Sequence, residues 1–181
     1  MILIIGGSGS GKSSYAEDYL SELSKGCKKY YIATMQVFDE EGRMKIEKHR
    51  NMRCGKGFHT IEQPTDIGAA LNGMEMADPK ERSALLECIS NLTANEMFSG
   101  EQMRGSREVA EKIVNGIKQL DEELKHLVIV SNNVFEDGIQ YDAMTMDYIR
   151  AMGMINERLA AMADQVIEVV VGIPVIVKEG N

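Results

Sequence analysis

Between an apolar run, Ile2-Leu3-Ile4-Ile5, and a helix-like stretch, Ser14-Tyr15-Ala16-Glu17, the chain reads Gly6-Gly7-Ser8-Gly9-Ser10-Gly11-Lys12-Ser13. This is G-x-x-x-x-G-K-[ST] set between a strand and a helix, and it dictates one local geometry. Glycines let the backbone curl until successive N–H groups point inward, and the N-terminus of the following helix adds partial positive charge. Lys12 then reaches the terminal phosphates of a nucleoside triphosphate, and the Ser13 hydroxyl is placed to ligate Mg²⁺. A strand that ends in such a loop has to sit inside a sheet with helices against it.

The rest of the chain supplies that sheet. Strand signals at 2–5, 29–34, 58–62, 83–87, 127–130, 166–171 and 175–177 alternate with helical stretches at 12–23, 39–53, 64–71, 88–98, from Ser106 onward, and through Tyr148 to Met162. Pro64 is read as opening its helix and Ser106 as capping another. Val109, Ile113, Ile117, Leu120 and Leu124 recur at spacings of three and four, the mark of one buried helical face. The turn at Gly172-Ile173-Pro174 makes the last two strands an antiparallel pair. Alternation of this kind predicts an α/β fold of the P-loop NTPase (RecA-like) class, a mostly parallel sheet flanked by helices with a C-terminal antiparallel strand pair. Ligands of such sheets bind beyond the carboxyl ends of the strands, where the 6–13 loop, Thr34 and Glu87 fall.

With 181 residues the chain fits a single domain, 1–181. A net charge of −8 without a basic tract argues against nucleic acid as a partner. Its apolar runs are too short for a membrane span, and no basic segment precedes Ile2 as a signal peptide would require. Cys27, Cys54 and Cys88 fit neither a disulfide framework nor a C-x-x-C metal site, so reduced thiols in a cytoplasmic protein are expected.

Two further residues carry chemistry. Glu87 ends the apolar strand Ala84-Leu85-Leu86, where a phosphate-binding loop commonly finds the carboxylate that holds Mg²⁺; the alternative is a helix-start carboxylate favoured by the dipole. His49 lies in Lys48-His49-Arg50-Asn51-Met52-Arg53. On pattern alone a lone histidine on a charged helix is most often a solvated surface residue. As a neutral imidazole it is also a nucleophile for phosphorus, with Arg50 and Arg53 near enough in sequence to neutralise developing charge. His59 reads as a strand residue and His126 as a cation at a helix C-terminus, and neither is given a role. Met144, Met146, Met152, Met154 and Met162 are read mostly as core positions of the long helix.

These residues together resemble the bifunctional adenosylcobinamide kinase / adenosylcobinamide-phosphate guanylyltransferases of cobalamin biosynthesis. The resemblance runs nearly end to end: the Gly6–Ser13 loop, Tyr31-Ile32-Ala33-Thr34, His49-Arg50 with Arg53, Thr60-Ile61-Glu62-Gln63-Pro64, Leu85-Leu86-Glu87-Cys88, and Asn156-Glu157-Arg158-Leu159-Ala160 through Ala163-Asp164. It implies phosphorylation of adenosylcobinamide by GTP or ATP, then GMP transfer from GTP through a guanylylated histidine to adenosylcobinamide phosphate. On this chain it makes His49 and Lys12 catalytic. Gly6, Gly7, Ser8, Gly9, Ser10, Gly11, Lys12 and Ser13 hold the nucleotide, with Ala33, Thr34, Met35, Arg50, Asn51, Met52, Arg53, Glu62 and Glu87 lining it. Ser13 and Glu87 hold Mg²⁺, and a homotrimer is implied. Two departures stand out. Gly9 replaces a usual Arg, and Asn132-Asn133-Val134-Phe135-Glu136-Asp137 replaces a usual Asn-Glu-Val-Gly-x-Gly. A small-molecule kinase without nucleotidyl transfer, or a GTP-binding homologue without catalysis, are the rival readings.

Overall fold

A computed structural model describes residues 1–36, 55–75, 78, 81–100, 102–133, 139 and 141–180. Seven strands, β1 (Ile2–Ile5), β2 (Lys28–Ala33), β3 (Phe58–Glu62), β4 (Arg82–Glu87), β5 (His126–Val130), β6 (Gln165–Val170) and β7 (Ile173–Lys178), form one sheet in the order β3-β2-β4-β5-β1-β6-β7. All neighbours are parallel except β6 and β7. The helices are α1 (Lys12–Leu23), α2 (Ile89–Phe98), α3 (Ser106–Glu122) and α4 (Ala143–Met162), with a 3-10 helix at Ile67–Gly73. The expected fold class, including the antiparallel end, is the one observed.

Alternation along the strands divides the core in two. Ile2, Ile4, Leu85, Val128, Val130, Ile167 and Val169 pack on one face with Ala16 and Leu20 of α1. Leu3, Tyr30, Ile32, Leu86, Leu127 and Ile129 pack on the other with α2, α3, α4 and the 3-10 helix. Residues i and i+2 of a strand share a face, so a register slip of one residue would expose a whole row. The apolar stripe of α3 is buried as its spacing predicts, with Val109, Ile113, Ile117 and Leu120 at zero exposure. Burying each of these side chains contributes roughly 1.5–3 kcal/mol relative to leaving it in water.

Several local expectations are corrected by tertiary contacts. No α-helix begins at Pro64; a 3-10 helix starts at Ile67 instead. Side chains of α2 take the backbone groups an earlier helix would use internally: Asn95 Nδ2 donates to Pro64 O at 2.9 Å, and Asp66 N donates to Glu96 Oε1 at 2.6 Å. Ser106 is the first residue of α3 rather than its cap. Asp147 of α4 accepts both Ser106 N (3.1 Å) and Ser106 Oγ (2.9 Å), a cap supplied from another helix. His126 opens β5 and does not end a helix. Met152 is buried and Met154 and Met162 pack against the core, but Met144 is 53% exposed in the first turn of α4. The expected helix over Asp39–Arg53 lies outside the described residues.

Candidate active site

The carboxyl ends of the strands converge on the 6–13 loop. Register links Ala33 to Glu62 on one side and to Glu87 on the other, then Glu87 to Val130 and Val130 to Ile4. Thr34, the residue after β2, is completely buried. Its Oγ1 accepts from Cys88 N at 2.8 Å and lies 2.9 Å from Cys88 O and 3.0 Å from Glu87 O. Thr34 therefore clamps the end of β4 rather than presenting its hydroxyl to a ligand. Ala33 O accepts Gln63 N at 2.9 Å and Thr34 O accepts Asn95 Nδ2 at 2.7 Å, which fixes the strand end that leads to Met35. Glu62 stands at the end of β3, two strands from Glu87.

The loop itself is held from beneath and from the side. Ser10 N donates to Gly7 O at 3.2 Å, Asn133 N to Gly6 O at 3.2 Å, and Gly172 N to Ser10 O at 2.8 Å. The last bond comes from the two-residue β6–β7 turn, where Val171 and Gly172 both have positive φ (45° and 83°) as a type I′ hairpin requires. At Gly6 the fit leaves no room for a side chain: a Cβ would stand 2.6 Å from Val169 O and 2.7 Å from Ser10 Oγ. Overpacking of this kind costs about 1–3 kcal/mol. Gly6→Ala is expected to weaken nucleotide binding about tenfold or more and to lower the melting temperature. Calorimetric titration with GTP checks this, and wild-type affinity would refute the fit.

Lys12 is 7% exposed, and its Nζ donates to Gly7 O at 3.0 Å. Burial pushes its pKa below the usual lysine value, partly opposed by the nearby Cys88 and Glu87. Ser13 Oγ donates to Glu87 Oε1, and Tyr31 OH donates to Glu87 Oε2 at 2.8 Å. A serine hydroxyl and a carboxylate meeting across the intervening strand β5 are hard oxygen donors. They fit Mg²⁺, which takes one or two protein oxygens and completes its shell with water and phosphate. Ser10 Oγ is buried with no hydrogen-bond partner among the described residues, in a loop built to face an anion.

Of the positions expected from sequence, the loop, Ala33, Thr34, Met35, Glu62 and Glu87 lie along one edge of the sheet. His49, Arg50, Asn51, Met52 and Arg53 lie outside the described residues. Sequence reasoning missed Tyr31, whose alternation with Tyr30 does not reveal which ring meets Glu87. It missed the Val171-Gly172 turn as a support of the loop. It also missed Cys88, Ser90 and Asn132 as one polar group, since three positions this far apart carry no local signal.

A glycine-rich loop between β1 and α1, with its serine on a carboxylate from a strand one removed in a parallel sheet, defines a P-loop NTPase of the RecA-like class. Solved structures agree on the fold. A DnaB-like replicative helicase superimposes with a TM-score of 0.54 at 11% identity, over 93% of this chain and 46% of that one. A phage-type helicase's counterpart, a solved ATPase domain, gives 0.52 at 10% identity over 92% and 68%. At that identity the likeness concerns architecture alone.

The family model for cobinamide kinase / cobinamide phosphate guanyltransferase matches residues 2–177, and the chain belongs to that family of transferases. It is 30% identical to the bifunctional adenosylcobalamin biosynthesis protein CobU of Escherichia coli, over 98% of this chain and 99% of the relative. It is 29% identical to the protein of the same name from Salmonella typhimurium, with the same shares. No helix among the described residues is long and apolar enough to cross a membrane.

Proposed function

We propose that this chain carries out two successive transfers at the 6–13 loop: phosphorylation of adenosylcobinamide, then GMP transfer from GTP to adenosylcobinamide phosphate. The family match over residues 2–177 carries this reading. In the first step the acceptor hydroxyl oxygen bonds the γ-phosphorus of GTP or ATP, and the nucleoside diphosphate leaves. In the second, a ring nitrogen of His49 bonds the α-phosphorus of GTP and pyrophosphate leaves. A phosphate oxygen of adenosylcobinamide phosphate then displaces the imidazole, giving adenosylcobinamide-GDP and free His49.

Gly6–Ser13 present backbone N–H groups to the phosphates, and Lys12 neutralises charge as the bridging P–O bond breaks. Ser13 and Glu87 hold Mg²⁺, which when bound neutralises and orients the phosphates. Ala33, Thr34, Met35, Glu62 and Arg50–Arg53 line the nucleotide, with Arg50 and Arg53 beside the guanylylated position. The protein works in the cytoplasm as a single-domain subunit of a homotrimer and takes no nucleic acid.

Radiolabelled GTP tests the reading. Label from the γ-phosphate is expected in the corrinoid, and label from the α-phosphate first on the protein and then in the corrinoid. Transfer of γ-label without α-labelled protein would mean a kinase alone. Nucleotide binding without either would mean a homologue that has lost catalysis.

A further inference from the structure

We infer that the side-chain amide of Asn132 is the docking point for the acceptor's alcohol group. This rests on the kinase step proposed above. Asn132 follows β5, the strand between β1 and β4. Past the strand's end the ladder to β1 continues, with Ser131 N on Ile4 O at 2.9 Å and Asn133 N on Gly6 O at 3.2 Å. Asn132 is thereby held beside the first residue of the phosphate loop. On its other side, Asn132 Nδ2 donates to Ser90 Oγ at 2.8 Å, and Ser90 Oγ lies 3.0 Å from the Sγ of Cys88, the residue after Glu87. The amide thus stands between the loop and the strand end that carries the metal-binding carboxylate, where an attacking group has to arrive.

It is also held still. Asn156 Nδ2 reaches Asn132 O at 3.3 Å while Asn156 Oδ1 accepts Ser131 Oγ at 2.6 Å, and Tyr148 OH donates to Ser90 O at 3.1 Å. Yet Asn132 Oδ1 is buried without a hydrogen-bond partner among the described residues. Native proteins seldom leave such an atom unmet, and a ligand that completes it is the direct explanation. An amide can be turned end for end, but either way one atom meets Ser90 and the other faces no partner. A hydroxyl both donates and accepts, so it satisfies the amide in either orientation. A phosphate oxygen or a cation satisfies only one.

The surroundings suit a neutral ligand. Burial pushes the Cys88 thiol up, and burial pushes Tyr148 up to about 12, so both are uncharged near neutral pH. With the alcohol on Asn132, its oxygen bonds the γ-phosphorus, and the bridging oxygen departs on the nucleoside diphosphate with the electron pair. The hydroxyl proton is released to water. The amide orients the nucleophile and takes no proton.

The test measures γ-label transfer from GTP to adenosylcobinamide, with nucleotide affinity and melting temperature measured alongside. In Asn132→Ala, kcat/KM for adenosylcobinamide is expected to fall about tenfold or more. The affinity for GTP is expected to stay within about threefold, because an uncharged amide adds little to phosphate binding. If that variant melts early, Asn132→Ser, which restores a short polar group, is expected to regain part of the transfer. Unchanged kcat/KM in Asn132→Ala overturns the inference. So does a parallel loss of GTP affinity, which would make Asn132 a phosphate contact. A wild-type protein that transfers no γ-label to adenosylcobinamide overturns the kinase reading and this inference with it.

Discussion

Lys12→Met is expected to lower turnover by about a thousandfold, the size of effect seen when one donor aimed at developing charge is removed. The reason is the environment of the ammonium. It is 7% exposed and donates to the neutral carbonyl of Gly7, and burial depresses its pKa. A desolvated cation next to a loop of inward N–H groups is a poor arrangement until an anion arrives. The sign of the pH dependence follows. A lysine whose folded pKa lies below its unfolded value of 10.5 binds fewer protons when folded, between those two values. Stability without nucleotide therefore rises with pH across that window, and the cost of the buried charge is fully present below the folded pKa. Lys12→Met removes the cost. The nucleotide-free variant is expected to melt no lower than wild type and to lose the stabilisation that GTP gives wild type. Melting curves with and without GTP check both halves, and a variant still stabilised by GTP would contradict the assignment.

Glu87→Gln is expected to reduce turnover by about a hundredfold or more and to weaken the apparent Mg²⁺ affinity at least tenfold. The carboxylate accepts Ser13 Oγ on one oxygen and Tyr31 OH on the other. The amide keeps the size and one acceptor while removing the charge that a hard cation selects. Rates titrated against Mg²⁺, and against a chelator, separate a metal role from a structural one. A fold-only role predicts a lower melting temperature with unchanged Mg²⁺ dependence.

The parts of the site legible in the sequence are those made by neighbours in the chain. Strand, loop and helix over 2–23 follow from Ile2–Ile5, the glycines and the amphipathic stretch after Lys12, because each shapes its own backbone. The parallel sheet follows from alternation, and the antiparallel end from the turn near Gly172. Contacts between distant segments were not legible. Ser13 and Glu87 are 74 positions apart, Asn132 and Ser90 are 42 apart, and Ser106 finds its cap on Asp147, 41 positions on. The same cause explains the helix expected at Pro64. Its backbone signal is genuine, but Asn95 and Glu96 bind the groups it would need. The role of Thr34 also changes with the fold, since its hydroxyl closes the β2–β4 end. His49 differs from all of these, because it rests on the Lys48–Arg53 stretch and the family resemblance alone.

The central claim is that the α-phosphate of GTP is attacked by His49. Wild-type protein and His49→Ala should each be incubated with Mg²⁺ and GTP radiolabelled at the α-phosphate, without corrinoid, and then denatured. The account predicts labelled wild-type protein whose label is lost in acid and kept in base, as a phosphoramidate requires, and no label on His49→Ala. Label retained on His49→Ala would contradict it.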